Sequence, residues 1–239
     1  MVSQPKKRIL IKISGGCLQA SNSSEFFDHD KLIDLCLQIK EISKTYQVGL
    51  VVGGGNLWRG KSNYLQELHD QTSHYIGMLA TVMNGLVFHD FLAAVGVKSK
   101  VYSSLQCGQV ANQINILNLR EELGTDQVLI FTGGAGIPYV STDTGSAIRA
   151  IEIGADIILM GKDNVDGVYS DDPKKNPDAV FYDKMSYDQI IQNKLSVMDN
   201  ASVNICKENN IKILVFNQSS KNAFVRALND DIVMTKISS

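Results

Sequence analysis

The sequence predicts an α/β protein with a mainly parallel, open sheet and helices on both of its faces, in three layers. Short apolar runs of strand length alternate with longer amphipathic runs along the 239-residue chain, an order typical of parallel sheets. The short runs are apolar at nearly every position, which indicates strands buried on both faces. Hydrophobic residues make up 44% and charged residues 20% of the chain, as in ordinary globular proteins.

Five apolar runs are predicted strands. They are RILIKIS (8–14), VGLVVGG (48–54), QVLIFTG (127–133), ADIILMG (155–161) and IKILVFN (211–217). Most of them run into a glycine-rich turn, which ends a strand sharply because glycine tolerates conformations that other residues avoid.

Four segments are predicted helices. Residues 29–46 follow Asp28, a candidate N-cap, and carry apolar residues at helical spacing, namely Leu32, Leu35, Ile39 and Ile42. Residues 74–95 are apolar almost all round, which indicates burial or a subunit contact. A third helix is predicted to begin near Thr142, and a fourth covers 197–210. Residues 162–186, rich in Asp, Gly, Pro and Lys, are expected to form loops and a small hairpin.

Composition excludes several classes of protein. A net charge of −2 gives no reason to expect nonspecific nucleic-acid binding. The four cysteines are widely spaced without a CxxC pair, so zinc and redox motifs lack their spacing. The longest apolar run, 76–88, is shorter than a membrane span, and the N-terminal segment does not read as a secretion signal. We therefore expect a cytoplasmic protein without a membrane partner.

Glycine-rich turns follow four of the predicted strands. They are ISGGC (13–17), VGGGNLWR (52–59), TGGAGIPYVSTD (132–143) and MGKDNVDGV (160–168). In a parallel sheet such turns collect at the carboxyl edge, where ligands bind, and their N–H groups can hold phosphate oxygens. The chain lacks both GxxxxGK[ST] and GxGxxG, which argues against Walker-type NTPases and standard dinucleotide-binding dehydrogenases.

Charged residues beside these turns strengthen the prediction of a phosphate site. Lys12 interrupts an apolar strand, and a buried lysine needs an anionic partner; the alternative is an edge strand with Lys12 facing water. Lys162 ends another apolar strand, with an ordinary surface lysine as its alternative. Arg59 suits bidentate phosphate binding, although it could be solvated at a helix start. Asp143 could be an N-cap, or could orient lysines or magnesium.

Seven segments, in this order along the chain, carry a resemblance to a known family. They are KRILIKISG (7–15), VVGGGNLWRG (51–60), GMLATVMNG (77–85), residues 134–143, NVDGVYSDDP (164–173), VMD (197–199) and VFN (215–217). Together they resemble the bacterial uridylate kinases (UMP kinases) of the amino-acid-kinase-like superfamily. GGGNLWRG and GMLATVMNG are specific to the uridylate kinases, whereas several of the other segments occur across the superfamily.

The resemblance implies transfer of the γ-phosphoryl group of ATP to UMP, giving UDP and ADP, by direct in-line transfer with Mg²⁺ in pyrimidine nucleotide biosynthesis. It implies an amino-acid-kinase-like domain over 1–239, with an acceptor (UMP) lobe to about residue 155 and a nucleotide (ATP) lobe from about 156. It also implies a homohexamer and inhibition by UTP.

Site residues are likewise implied by the resemblance. The catalytic set is Lys12, Lys162 and Asp143. The ATP-binding set is Lys12, Ser14, Gly15, Gly55, Asn164, Tyr169 and Asp172. The UMP-binding set is Gly54, Gly55, Arg59, His74, Gly136, Ile137, Tyr139 and Thr142. No protein side chain is assigned to the metal and no catalytic base is assigned, because the acceptor is already an ionised phosphate.

Three positions depart from the family pattern. His74 stands where relatives have an aspartate expected to contact the ribose, Ile137 replaces an asparagine of the pyrimidine pocket, and Gly16 replaces a common glutamate. Altered UMP recognition, with a pH dependence near the pKa of His74, is the resulting hypothesis.

Two other functions remain open from the sequence. A carboxylate or carbamate kinase of the same superfamily is disfavoured, because a carboxylate acceptor needs no second phosphate cradle such as GGGNLWR. A non-catalytic nucleotide or oxyanion binder is disfavoured because such a protein could lose Lys12, Lys162 and Asp143 freely.

Overall fold

A nine-stranded sheet and a separate two-stranded hairpin make up the β-structure of the computed structural model, which describes residues 6–20, 25–60, 65, 67–193, 195 and 197–239. In chain order the strands are β1 (Arg8–Ile13), β2 (Gln47–Val52), β3 (Ser99–Ser103), β4 (Asn112–Gln113), β5 (Val128–Thr132), β6 (Ile157–Lys162), β7 (Val168–Tyr169), β8 (Phe181–Tyr182), β9 (Lys184–Ser186), β10 (Lys212–Asn217) and β11 (Met234–Ser238).

Seven α-helices lie within these described residues. They are α1 (His29–Ser43), α2 (Asp70–Ala94), α3 (Ile116–Glu122), α4 (Thr142–Ile153), α5 (Tyr187–Gln192), α6 (Asn200–Glu208) and α7 (Ala223–Leu228). A single 3-10 turn, Gly15–Leu18, follows β1. The N-cap side chain of α1 is Asp28, as predicted, and it accepts hydrogen bonds from the N–H groups of Asp30 and Lys31.

The large sheet is mainly parallel, as predicted. Its strand order is β4-β3-β5-β2-β1-β6-β10-β11-β9, and the pair β10–β11 is antiparallel while every other pair is parallel. Strands from both sides of residue 155 therefore belong to one sheet. The second sheet is the antiparallel hairpin of β7 and β8, which confirms the hairpin expected in 162–186.

Helices cover both faces of the sheet, so the predicted three layers are present. Helices α1, α2 and α7 pack on the face formed by Ile9, Ile11 and Ile13. Helices α3, α4, α5 and α6 pack on the opposite face, with Leu10 and Ile158 among the strand residues. Side chains along a strand point alternately to the two faces of the sheet, so Lys12, two residues after Leu10, points to the same face as Leu10, which α4 covers.

The five predicted strands are present as β1, β2, β5, β6 and β10, and the four predicted helices as α1, α2, α4 and α6. Helix α4 begins at Thr142, as predicted, with Ser141 as its N-cap. Other helix boundaries differ: α2 begins at Asp70 rather than near 74, α1 ends at Ser43 rather than 46, and α6 covers Asn200–Glu208 rather than 197–210. Strands β3, β4, β9 and β11 and helices α3, α5 and α7 were not predicted, because short elements with mixed polarity carry little periodic signal.

Helix α2 is longer than its apolar run suggested. With 25 residues and a mean hydropathy of 1.4 in its most apolar window, it could cross a membrane by length and composition alone, and 44% of that window is buried in the described part of the chain. Its buried residues include Val82, Phe88 and Leu92, of which Phe88 and Leu92 belong to the core on the α1 side of the sheet. Core helices of globular proteins have the same composition.

The strand order also positions the glycine turns. The neighbouring strands β5, β2, β1 and β6 are parallel, so their carboxyl ends lie along one edge. All four predicted glycine turns therefore lie at that edge.

Candidate active site

Two lysines and one aspartate form a buried ion cluster at this edge. The Nζ atom of Lys12 lies 2.9 Å from Oδ1 of Asp143, and the Nζ atom of Lys162 lies 3.4 Å from Oδ2 of the same carboxylate. The Lys12 side chain is 9% exposed, and its strand lies between β2 and β6. The edge-strand alternative for Lys12 is therefore wrong, and its predicted anionic partner is Asp143.

Burial and ion pairing act in opposite directions on the pKa values of Asp143 and Lys162. Burial by itself would raise the pKa of Asp143, but the adjacent Lys12 and Lys162 outweigh it, so the pKa lies below its ordinary value. Burial lowers the pKa of Lys162, and Asp143 opposes that shift. Two cations and one carboxylate leave a net positive charge, which favours an incoming anion.

The first glycine turn is closed by a ring of hydrogen bonds that sequence reasoning missed. The hydroxyl of Ser14 donates to Oδ2 of Asp163 at 2.8 Å, and the Nε2 group of Gln218 donates to Oδ1 of Asp163. The N–H of Ser14 donates to Oε1 of Gln218 at 3.2 Å. Ser14 thus stabilises the turn through both its backbone N–H and its hydroxyl group. The available signal was position, since Asp163 and Gln218 each lie within two residues of the end of a predicted strand.

The first and second glycine turns are in direct contact. A Cβ atom placed on Gly15 would lie 2.2 Å from the carbonyl oxygen of Gly53 and 2.7 Å from the nitrogen of Gly55. A Cβ on Gly54 would lie 2.8 Å from the carbonyl oxygen of Gly77 in α2. Arg59 folds back on this turn, and its Nε donates to the carbonyl oxygen of Gly55 at 2.8 Å. The predicted phosphate cradle therefore requires glycine for close backbone packing.

Helix α2 holds two of the glycine turns through buried polar side chains. Asn84 is fully buried, donates to the carbonyl oxygen of Gly53 at 2.7 Å, and exchanges two hydrogen bonds with Asn56. One turn earlier, the hydroxyl of Thr81 accepts the N–H of Gly133 at 2.8 Å. Sequence reasoning missed Asn84 and Thr81, because polar residues within an apolar helix do not reveal their partners.

Comparison with known proteins identifies the family. The profile of the amino acid kinase family matches residues 7–217. The uridylate kinase of Ureaplasma parvum serovar 3 is 43% identical over 223 residues, covering 93% of this chain and 94% of that protein. The chain belongs to the amino acid kinase family, in its uridylate kinase branch.

Solved structures place this family member in the same branch. A crystal structure of UMP kinase from Ureaplasma parvum has a TM-score of 0.94 at 41% identity, covering 99% of this chain and 100% of that one. The UMP kinase from Bacillus anthracis has a TM-score of 0.91 at 33% identity, covering 98% and 97%. The predicted α/β amino-acid-kinase fold is thereby confirmed.

One departure of this uridylate kinase family member, His74, contacts the third glycine turn, and a second, Ile137, lies within that turn. The ring of His74, in the first turns of α2, contacts the ring of Tyr139 with centroids 4.6 Å apart. Tyr139 has a positive φ of 66° and is 70% exposed, while Ile137 is 59% exposed. Gly136, with φ of 80°, continues the turn, and Thr142 begins α4. The structure thus brings His74 and Tyr139 together at the surface.

Three of the residues predicted for the donor nucleotide line two different cavities. Asn164 lines a cavity of about 1040 Å³ together with Gly16, Arg59 and Asp163. Tyr169 and Asp172 line another, of about 490 Å³. The ring of Tyr169 also packs edge-on against Phe181 of the hairpin, with centroids 5.2 Å apart. Asn164 and the other two residues thus line separate cavities within the described part of the chain.

The arrangement offers positive charge beside closely packed glycine turns at one edge of the sheet. Lys12 and Lys162 converge on Asp143, while Arg59 lies near the first turn: a Cβ on Gly16 would be 3.1 Å from Arg59 Nη2 and 3.0 Å from Asp163 Oδ2. Such a site can align two phosphate-bearing molecules and neutralise charge between them.

Proposed function

We propose that this chain transfers the γ-phosphoryl group of ATP to UMP, giving UDP and ADP, in pyrimidine nucleotide biosynthesis. The observation that carries the proposal is the buried Lys12–Asp143–Lys162 cluster beside two glycine turns that touch each other. Relatives named uridylate kinase, 40–43% identical over nearly the whole chain, support UMP as the acceptor.

The chemistry needs alignment and charge neutralisation. In phosphoryl transfer the negative charge is spread over the oxygens of the moving group. The ammonium groups of Lys12 and Lys162 are proposed to lie beside the phosphoryl group during its transfer, and Asp143 keeps the two lysine side chains in position. The UMP phosphate is ionised at neutral pH, so no side chain has to remove a proton. Transfer is therefore direct, without a covalent enzyme intermediate.

Mg²⁺ would reach this site on the nucleotide. In the described part of the chain, no three His, Cys, Asp or Glu side chains are grouped to hold a metal ion. Asp143 is paired with lysines and Asp163 with Ser14 and Gln218. This fits a cation held by phosphates and water, as is usual for Mg²⁺. When bound, it neutralises phosphate charge.

The two substrates are assigned to opposite sides of the cluster. We assign the UMP phosphate to Gly54, Gly55 and Arg59 and its nucleoside to the turn around Tyr139, within the lobe up to about residue 155. The ATP phosphates are assigned to the first turn at Ser14 and Gly15, within reach of the lobe from about 156. The contact between Gly15 and Gly53 supports adjacent phosphate sites.

Assembly and regulation are part of the proposal. Tyr75, Leu79 and Met83 are exposed and recur every four residues along α2, so they form an apolar stripe suited to a subunit contact. This supports an oligomer, proposed to be a homohexamer. UTP, which shares the uridine of the acceptor, is the proposed inhibitor. The free thiols of the four cysteines support a cytoplasmic location.

A coupled assay of ADP release tests the proposal. The acceptors are UMP, CMP, carbamate and N-acetylglutamate, each with ATP and Mg²⁺. We expect turnover with UMP far above that with the others. Turnover with carbamate or N-acetylglutamate instead would establish the carboxylate-kinase alternative, and ATP binding without turnover of any acceptor would establish the binder.

Arg59→Ala is expected to raise the KM for UMP at least tenfold while changing the KM for ATP less than threefold. The reason is that a charge-assisted hydrogen bond to a phosphate contributes about 1.5–3 kcal/mol, or roughly ten- to a hundredfold in affinity. Steady-state kinetics with each substrate varied measures both constants, and Arg226→Ala, which removes a half-buried arginine of α7 paired with Asp231, is the matched control. A larger change in the KM for ATP would instead place Arg59 on the donor phosphates.

A further inference from the structure

The carboxylate of Asp199 joins the N-termini of two helices. Asp199 is the N-cap of α6, where its Oδ1 accepts the N–H of Ser202 at 3.0 Å. The same oxygen accepts the hydroxyl of Thr144 at 2.7 Å, and Oδ2 accepts the hydroxyl of Ser141. Capping α6 requires a single acceptor, so the other two contacts serve α4.

Both hydroxyl donors lie in the first turn of α4. Ser141 is the N-cap of that helix and its hydroxyl oxygen accepts the N–H of Thr144 at 3.0 Å. Between Ser141 and Thr144 the chain carries only Thr142 and Asp143. Asp199 therefore holds the residues on either side of Asp143, and it holds them from a helix that is more than fifty residues away in sequence.

Asp199 is ionised in this position. Burial raises its pKa, but hydrogen bonds from Ser141, Thr144 and backbone N–H groups outweigh that, so the pKa lies below the ordinary value. An ionised carboxylate accepts hydrogen bonds on both oxygens and donates none. The orientation of both hydroxyl groups toward it is therefore set.

We infer that Asp199 is a positioning residue, which fixes the first turn of α4 and so holds the Asp143 carboxylate against both Lys12 and Lys162. The expected loss of kcat rests on the proposed function, whereas the positioning of Asp143 by Asp199 does not. A carboxylate that must meet two ammonium groups at once tolerates little rotation of its helix turn, and small displacements at a reacting centre have large effects on rate.

The kinetic test compares Asp199→Ala with Ser186→Ala. Ser186 is the N-cap of α5, and its capping box is formed with Gln189 of the same helix. We expect Asp199→Ala to lower kcat at least tenfold with less than a threefold change in the KM for ATP, and Ser186→Ala to change kcat less than twofold. An equal loss in both variants, or wild-type kcat in folded Asp199→Ala, would overturn the inference.

Thr144→Val separates positioning from capping. The substitution removes the hydroxyl group that donates a hydrogen bond to Asp199. It keeps the shape of the side chain and leaves Asp199 in place as the N-cap of α6. We expect a several-fold lower kcat, with Asp199→Ala/Thr144→Val no worse than Asp199→Ala. Additive losses in the double variant would contradict a shared role. If Asp199→Ala does not fold, Thr144→Val by itself tests the inference.

An NMR titration of the Asp143 carboxyl distinguishes failure of this inference from failure of the proposed function. Lys12, Lys162 and Asp163 are the charged groups around that carboxyl and its lysine partners. In Thr144→Val and Asp199→Ala the Asp143 pKa should rise, because the lysines are less well placed, whether or not UMP is the acceptor. An unchanged titration would overturn positioning even if kcat fell, whereas a shifted titration without UMP turnover would overturn only the proposed acceptor.

Discussion

Lys12→Ala is expected to lower kcat for UMP-dependent ADP formation about a thousandfold, near the upper range for loss of one group that stabilises transition-state charge. Lys12 is the most deeply buried cation of the ion cluster, with its ammonium group 2.9 Å from Asp143. Without it, one positive charge and one negative charge remain, so the site loses its net attraction for the moving phosphoryl group. Steady-state rates at saturating ATP and UMP measure the effect.

Two further variants give this prediction its controls. Lys12→Met retains most of the side-chain volume and should lose as much rate as the alanine variant, because the charge and not the packing is responsible. Lys212→Ala removes an exposed lysine from β10 and should leave kcat unchanged. Retention of more than a tenth of wild-type kcat in Lys12→Met would refute the proposed role of Lys12.

Lys12→Ala is also expected to change the stability of the fold in a pH-dependent way. The pKa of Asp143 is lowered in the folded protein, so its pairing stabilises the fold above the unfolded-state pKa, and this contribution is lost as pH falls through the folded-state pKa. Losing one partner of a buried ion pair costs about 3–5 kcal/mol, and here Lys162 remains beside Asp143 to limit that loss. The difference in free energy of unfolding between wild type and Lys12→Ala should therefore persist at neutral pH and narrow only as the pH falls below the ordinary Asp pKa of 3.8.

Gly15→Ala is expected to destabilise the fold by about 3 kcal/mol and to remove most activity. The added Cβ would lie 2.2 Å from the carbonyl oxygen of Gly53 and 2.7 Å from the nitrogen of Gly55, and backbone on both sides cannot move aside as a flexible side chain would. Overpacking of this kind usually costs 1–3 kcal/mol, occasionally more. Urea unfolding and the ADP-release assay measure the two effects.

Gly108→Ala is the matched control for this substitution. A Cβ on Gly108 meets nothing within 4 Å among the described residues, so its free energy of unfolding should stay within about 0.5 kcal/mol of wild type. If Gly15→Ala were as stable and active as Gly108→Ala, the close approach of the two turns would not be needed for the site.

Much of the fold was predictable because its main elements have strong local signals. Strands β1, β2, β5, β6 and β10 are apolar along their length, and α1 has a clear apolar face with Asp28 at its start. In contrast, β11 reads MTKIS and α7 has six residues. Their place depends on a neighbour that is already formed, which a local pattern does not contain.

The candidate site was predictable in its residue types and less so in its connections. A lysine inside an apolar strand required an anionic partner, and Lys12 has one in Asp143. The residues that arrange the site were missed: Asn84 reaches Gly53 from α2, and Asp199 reaches Ser141 and Thr144 from α6. Each contact joins segments distant in sequence, and each of these polar residues could equally have faced water.

The amino-acid sequence alone determines the glycine turns at the strand ends, the burial of the strands and the need of Lys12 for a counter-charge. These features depend only on the chemistry and spacing of neighbouring residues. The packing of the folded chain selected the partners. It brought β1 between β2 and β6, pressed Gly15 against Gly53, and set one Asp143 carboxylate between two lysines. Those choices depend on strand order and helix packing, which arise only when distant segments compete to bury the same surfaces.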